Sequence, residues 1–331
     1  MKKDLLVTLA DKNYINQAKQ LFSSVYWNAG WKGDYMLLSY EIPEEELKWF
    51  QGKGILIKKC EPLYHNNIAH LPPVVLSKFY LFTPEFKKWK NIVYLDGDII
   101  VRASLDDLTK IKGFAAVQCY LNPRLHQHFR PLTEMNKKLF NGLKKHYFLK
   151  KEAFNTGVMA FNTDIINEDS FSELKELFNL YREIIFLGEQ PILNLFFYKK
   201  WVKLSLIYNI YPNFLIDRCI IRPEEVNGII LHFPAFKPWV LKDYFYNEWR
   251  NNLEKAEQIN LNKIQNAVKV WNKEEIKKYC SYIRKRHMLF LFDRYVGCIG
   301  IFLKNNFPKL YFILKKLKNG KPDCLDNNQN V

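Results

Sequence analysis

Residues 91–101 read NIVYLDGDIIV. An apolar, β-branched run leads up to Asp96, Gly97 separates it from Asp98, and three more apolar residues follow. The run has the composition of a strand buried on both faces, yet it carries two carboxylates, and burying an unpaired carboxylate costs on the order of several kcal/mol. A turn is one resolution, because Asp-Gly-Asp is a turn-forming composition. The alternative is a strand that breaks at Gly97 and leaves both aspartates at the carboxyl edge of a parallel sheet, where open α/β sheets bind ligands. Carboxylates two residues apart suit a hard divalent cation that bridges to phosphate oxygens and offsets the desolvation.

The surrounding sequence supplies such a sheet. DLLVTLA (4–10) reads as a strand, and residues 13–29 place apolar side chains at 14, 15, 18, 21, 22 and 25, which is helical spacing. DYMLLSYEI (34–42) returns to a strand, PEEELKWFQGKG is a short helix closed by glycines, and ILIKKCEPL is a third strand. VVLSKFYLFTPEFKKW (74–89) predicts a helix running into the aspartate stretch. Further strands are expected at 114–119, 157–162 and 228–234, with helices at 171–185 and 189–198. Strands alternating with helices predict an α/β fold with a mostly parallel sheet. The loops at 119–150 and 189–220 carry no readable code.

The whole chain, at 331 residues with 48% apolar and 16% aromatic residues, is long enough for one large or two modest cores. Its six cysteines have no paired or zinc-finger spacing and read as free thiols of a reducing compartment. The N-terminus lacks the apolar run of a signal peptide and reads as the first strand, which predicts a cytoplasmic protein. The net charge of +16 is local: residues 276–321 hold twelve lysines and arginines against Asp293 alone, so eleven of the sixteen excess charges lie there.

One further chemistry uses the same letters as the aspartate stretch. Phosphatases of the haloacid-dehalogenase type follow an apolar strand with D-x-D, the first Asp a nucleophile, but there the motif opens the fold, whereas here three strands precede it. Other motifs discriminate. LSKFYLF (76–82), NTGVMAFN (155–162), GEQPILN (188–194) and IILHFPAFKPW (229–239) flank YLDGDIIV in an order that resembles glycosyltransferase family 8, the retaining enzymes that include glycogenin and bacterial lipopolysaccharide galactosyltransferases, over roughly residues 4–240. The resemblance implies a GT-A type fold, with a mostly parallel Rossmann-like sheet flanked by helices and a helical C-terminal extension. It implies a UDP-sugar donor, Mn²⁺ or Mg²⁺ as cofactor, and a glycan or glycolipid acceptor.

Carried over residue by residue, the resemblance gives Ala10, Asp11 and Tyr14 to the uracil and ribose, and Lys78 to the phosphates and donor sugar. Asp96, Asp98 and His232 match the metal ligands, Asp96 being shared with the ribose. Lys237 matches the lysine that pairs with the diphosphate, and Asn155, Glu189 and Gln190 match donor-sugar contacts in the catalytic set. Gly157 reads as a point of close backbone approach. Two departures stand out. The family pattern H-x-x-G-x-x-K-P-W spaces His and Lys by six, but His232 and Lys237 are five apart and the glycine is missing. Glu189 stands where the family has Asp. Since no carboxylate stands out as a covalent nucleophile, attack on the donor face from which UDP departs is favoured over double displacement. A binding protein without activity is the other reading of these residues.

Composition changes after about residue 240, which divides the chain into a catalytic region, 1–240, and a basic helical extension, 241–321, with residues 322–331 expected to be disordered. The extension is both apolar and basic, and its MLFLFDRYVGCIGIFL run is too short and too interrupted for a transmembrane span. The favoured reading is an interfacial segment docked on the anionic inner face of a membrane. A helix packed on the domain is the plainer reading, and nucleic acid is not expected, for want of any recognisable motif.

Overall fold

The computed structural model describes the backbone of residues 2–306 and the side chains of residues 4–292. The expected disordered tail at 322–331, and the basic extension from residue 307 onward, lie outside the described residues.

Strands β1 (Lys2–Ala10), β2 (Asp34–Ser39), β3 (Leu56–Lys59) and β4 (Trp89–Leu95) are followed by β5 (Ile99–Val101), β6 (Phe114–Gln118), β7 (Phe154–Asn162), β8 (Trp201–Leu204) and β9 (Ile230–His232). Seven of them form one sheet in the order β3-β2-β1-β4-β7-β6-β8, while β5 and β9 form a separate antiparallel pair. The first four strands are mutually parallel, as the alternation of strands and helices predicts, and β6 pairs in parallel with β8. The exception is β7, antiparallel to both β4 and β6. That reversal matters for function, because it brings the beginning of β7 to the edge where β1 and β4 end: Leu95 lies opposite Val158.

The helices are α1 (Ile15–Ser24), α2 (Glu44–Gly52), α3 (Glu134–His146), α4 (Ser170–Tyr181), α5 (Gln190–Phe196), α6 (Pro212–Asp217), α7 (Pro238–Leu241), α8 (Tyr246–Lys255) and α9 (Lys273–Asn306). Side chains of a strand alternate between faces, and both faces of the sheet are covered. Leu5, Val7, Leu9, Ile92 and Tyr94 meet a phenylalanine-rich layer that includes Phe79, Phe82, Phe114 and Phe161. Leu6, Ala10, Val93 and Leu95 meet Ala18, Leu21, Phe22 and Val25. Double-sided burial is why these strands read as continuous apolar runs.

The structure departs from the expected elements in three places. Residues 74–89 form two 3₁₀ stretches, Pro73–Phe82 and Pro84–Lys88, in place of one α-helix. Pro84 lacks the N–H that a continuing helix needs and forces Thr83 into an extended conformation, φ −80° and ψ 149°. The helix expected over 13–29 ends as α1 at Ser24 and continues as a π turn, Val25–Ala29, which stops at Gly30 with φ +60°. The run 91–101 is two strands in two sheets.

Beyond β9 the chain packs against the α1 side of the sheet. Trp271, Ala256, Ile259 and Cys280 are buried there, and the Tyr26 hydroxyl donates to the Asn260 and Lys263 carbonyls at 2.9 and 3.1 Å. Ile283 on α9 is buried with Ile220 and Phe233. No helix among the described residues is long and apolar enough to cross a membrane. The four described cysteines, Cys60, Cys119, Cys219 and Cys280, are free thiols.

Candidate active site

Six segments meet at one edge of the sheet and surround a cleft of about 440 Å³. From β1 come Ala10 and Asp11, with Tyr14 just before α1; from β4 come Asp96 and Asp98; β7 contributes Asn155, the N-terminal end of α5 Glu189 and Gln190, the 3₁₀ stretch Lys78, and the β9–α7 loop His232 and Lys237. The eleven residues to which the resemblance gives a ligand contact all line this cleft.

The strand break at Gly97 decides where the aspartates point. After Leu95 the chain leaves the main sheet, and β5 pairs with β9 so that Ile99 lies opposite His232. The Phe233 N–H donates to the Asp98 carbonyl at 3.0 Å, which clamps the imidazole beside the acid turn. One carboxylate oxygen of each aspartate and a ring nitrogen of His232 lie within 4.8 Å of one another. His232 Nε2 is 3.1 Å from Asp98 Oδ1 and 3.9 Å from Asp96 Oδ2. The remaining oxygens are occupied. Asp96 Oδ1 accepts from the Tyr94 hydroxyl at 2.7 Å and pairs with Lys78 at 2.9 Å, and Asp98 Oδ2 pairs with Lys237.

This arrangement fits a divalent cation. Asp98 Oδ1 is buried and accepts no hydrogen bond. The nitrogen facing it belongs to an imidazole whose other nitrogen, Nδ1, is 2.8 Å from the Asn209 side-chain oxygen. With its proton on Nδ1 alone, the ring turns a lone pair toward two carboxylate oxygens, a repulsive contact that a second proton on Nε2 or a cation between them relieves. Carboxylate oxygens with one imidazole are a donor set suited to Mn²⁺ or Mg²⁺.

The electrostatics follow the same division. Burial pushes the Asp98 carboxyl up, while the Lys237 ammonium beside it pulls the other way, and the group is held below the usual carboxylate range. Burial alone would lower the Lys78 ammonium; Asp96 and Glu189 reverse that and raise it above its ordinary value. The Lys78–Glu189 contact is 2.6 Å between side chains only 5% and 4% exposed, and the same Glu189 oxygen accepts from the Thr156 hydroxyl at 2.7 Å. Lys237 also donates to the Phe233 carbonyl at 2.6 Å and lies beside Phe236, which is 52% exposed at the rim. Tyr14 sits against the acid turn, where a Cβ added to Gly97 would lie 3.5 Å from its ring, and it meets Trp239 edge-on at 6.3 Å.

Gly157 is a close approach in the literal sense. A Cβ there would lie 2.3 Å from His232 Cε1 and 2.9 Å from Asp96 Oδ2, so a larger residue cannot coexist with the imidazole in its present place. Sequence reasoning missed Thr156, Tyr94 and Asn209. Thr156 and Tyr94 lie inside quoted motifs, and a hydroxyl beside a motif acid is a signal that could have found them. Asn209 sits in an irregular stretch, LIYNIYPNF, with no pattern to mark it.

The geometry defines a class, and comparison with known proteins agrees. Among solved structures, the galactosyltransferase LgtC in complex with donor and acceptor sugar analogs matches at a TM-score of 0.58 with 17% identity, covering 83% of this chain and 99% of that one. The apo-form glycosyltransferase GlyE of Streptococcus pneumoniae matches at 0.56 with 20% identity, covering 82% and 67%. The fold is therefore that of the GT-A type glycosyltransferases. The model of glycosyl transferase family 8 matches residues 5–243, and the chain belongs to that family. Glycosyltransferase GlyB of Streptococcus pneumoniae serotype 4 is 26% identical over 287 residues, 76% of this chain and 64% of GlyB. The chain thus spans just under two thirds of that relative, and 32% of the related glycosyltransferase GlyA.

Proposed function

We propose that this protein is a metal-dependent, retaining hexosyltransferase that moves a hexosyl group from a UDP-sugar to a hydroxyl of a glycan or glycolipid. The observation that carries the reading is the unbonded, buried Asp98 Oδ1 facing an imidazole lone pair, in a cleft of a family 8 chain. Asp96, Asp98 and His232 would hold Mn²⁺ or Mg²⁺, which when bound supplies positive charge to the departing diphosphate.

The chain's own residues divide the remaining work. Tyr14 offers a ring face to the uracil, and Ala10 and Asp11, at the end of β1, border the ribose. Lys237 lies within reach of both the acid turn and the cleft mouth, so it can exchange Asp98 for the diphosphate. Asn155 and Gln190 face the donor sugar. In the transfer the bond from the anomeric carbon to UDP breaks, a bond to the acceptor oxygen forms on the same face, and the acceptor's proton passes to the departing diphosphate oxygen. Glu189 supports this front-face course over a covalent one. Its Oε1 is already shared by the Lys78 ammonium and the Thr156 hydroxyl, which suits a charge that positions the sugar and leaves it a poor nucleophile.

The extension fits a peripheral location at the inner face of the membrane. On α9, Met288, Leu289, Leu291 and Phe292 are exposed beside the exposed basic residues Arg284 and Lys285, the composition of an interfacial segment.

The expected result is Mn²⁺-dependent release of UDP from one member of a panel of UDP-sugars, reduced at least about a hundredfold in Asp98→Asn. Equal activity in that variant overturns the metal assignment. Phosphate release from simple esters without any UDP-sugar would return the phosphatase reading, and UDP-sugar binding without turnover the binding-protein one.

A further inference from the structure

The side-chain amides behind the acid turn form one continuous chain with a fixed direction. Two backbone groups set that direction, because a peptide N–H only donates. The Thr156 N–H donates to Gln190 Oε1 at 3.2 Å, and the Gly157 N–H donates to Asn155 Oδ1 at 3.0 Å. Both amides are thereby oriented without appeal to their neighbours. Asn155, its oxygen committed, turns its Nδ2 to Gln190 Oε1 at 2.9 Å. The second lone pair of Asn155 Oδ1 then receives Asn209 Nδ2 at 3.0 Å. Asn209 can present only its oxygen on its other side, and that oxygen lies 2.8 Å from His232 Nδ1. The far end closes on sulfur, where Gln190 Nε2 reaches Cys119 Sγ at 3.7 Å. Asn209, Gln190 and His232 are 2%, 5% and 2% exposed, so water does not compete for these contacts.

From this we infer that Asn209 is a positioning residue that fixes His232 with its proton on Nδ1 and its Nε2 lone pair turned to the carboxylates. The inference deepens the metal reading above and rests on it for its functional meaning. An amide oxygen cannot donate, so a ring with the proton on Nε2 would leave two acceptors in contact at Nδ1, buried, at a cost of about 1–3 kcal/mol. The outer partner of a ligating histidine sets both its tautomer and its orientation. Here that partner is itself set by Asn155 and Gln190, two residues that face the donor-sugar part of the cleft. Metal affinity and the sugar-contacting amides are thus joined by hydrogen bonds, and disturbing Gln190 disturbs the imidazole three links away.

The test uses the full chain with Asn209→Leu and Asn209→Asp, the first removing every hydrogen bond at similar volume, the second keeping an oxygen for Nδ1–H while losing the donor to Asn155. Mn²⁺ alone is titrated calorimetrically, and crystal structures of the metal-free proteins record the imidazole. The Leu variant is expected to bind Mn²⁺ about 10–100-fold more weakly, with its ring turned away from the two carboxylates. The Asp variant is expected to recover most of that affinity and the original ring orientation. Should the Leu variant not fold, Asn209→Ala carries the same comparison. Unchanged Mn²⁺ affinity in the Leu or Ala variant, or equal losses in it and the Asp variant, overturns the inference. Failure of the unaltered protein to bind Mn²⁺ sinks the metal reading instead, and the crystallographic ring orientations then decide for or against the amide chain by themselves.

Discussion

The two aspartates of the acid turn are built alike and situated differently. Each gives one oxygen to a lysine and turns the other toward His232. Asp96 takes Lys78, a buried cation that also neutralises Glu189 and lies over the Tyr94 ring, 5.2 Å from its centre. Asp98 takes Lys237, on the loop before α7, beside exposed residues at the mouth of the cleft. One lysine is part of the wall and the other part of the rim. Equal-looking ion pairs can therefore serve opposite ends: the first holds the fold together around buried charge, the second is placed where an incoming anion can take it over.

The largest effect that would sharpen this contrast is in the wall. Lys78→Met leaves the buried Glu189 and the half-buried Asp96 without their shared cation, and breaking a buried pair such as Lys78–Glu189 costs about 3–5 kcal/mol. Denaturant unfolding should show that loss, and adding Glu189→Gln should return part of it. A Lys78→Met protein as stable as the parent would erase the distinction between wall and rim.

Next in size is the glycine between them. Gly157→Ala forces a methyl into the position 2.3 Å from His232 Cε1, and overpacking of this kind costs about 1–3 kcal/mol. Because the imidazole is the neighbour that must move, Mn²⁺ affinity should fall alongside the melting temperature. Weakened stability with Mn²⁺ binding intact would mean that the strand yields and the ring does not.

The smallest change in stability is expected at the rim. Lys237→Met leaves Asp98, whose side chain is 11% exposed, without its lysine, but Mn²⁺ should recover the loss by binding the folded state, so that in its presence the variant lies close to the parent, whereas Mn²⁺ should not rescue Lys78→Met. Affinity for UDP should drop about tenfold, since a charge-assisted contact to the diphosphate is lost. Equal rescue of both variants by Mn²⁺ would show that the two lysines are not distinguished by their place.

Much of the fold was legible because it is periodic. β1, β2 and β4 alternate between two covered faces, and α1 has helical spacing, so each announces itself locally. Eight of the eleven site residues lie in the motifs taken in order, Ala10, Asp11 and Tyr14 lie at or just after the end of the first strand, and the structure gathers all eleven in one cleft; the resemblance supplied the roles, which spacing did not. What stayed hidden is whatever depends on partners distant in sequence. That 91–101 divides between two sheets follows from the pairing of Ile99 with His232, which nothing within the stretch records. β8 escaped notice because it is an edge strand with Val202 and Lys203 exposed, so it lacks an apolar run. α3 had a local signal that went unread: Thr133 accepts the Asn136 N–H at 3.1 Å as a helix cap. Asn209 had none, since a lone asparagine in a loop gains meaning only from the histidine it meets.

The small β5–β9 sheet has a consequence for how the protein is made. Its two strands, Ile99–Val101 and Ile230–His232, lie far apart in sequence, and until the second has left the ribosome the acid turn has no imidazole, no Phe233 N–H on the Asp98 carbonyl and no Lys237. Contacts that close such long loops form late, because the entropy of closure precedes the reward. The parallel strands β1 to β4 can settle first around apolar contacts close in sequence. The Asp96–Asp98–His232 cluster is then completed only late in folding, and a nascent chain that has not yet reached β9 carries its two aspartates without the third member of the cluster.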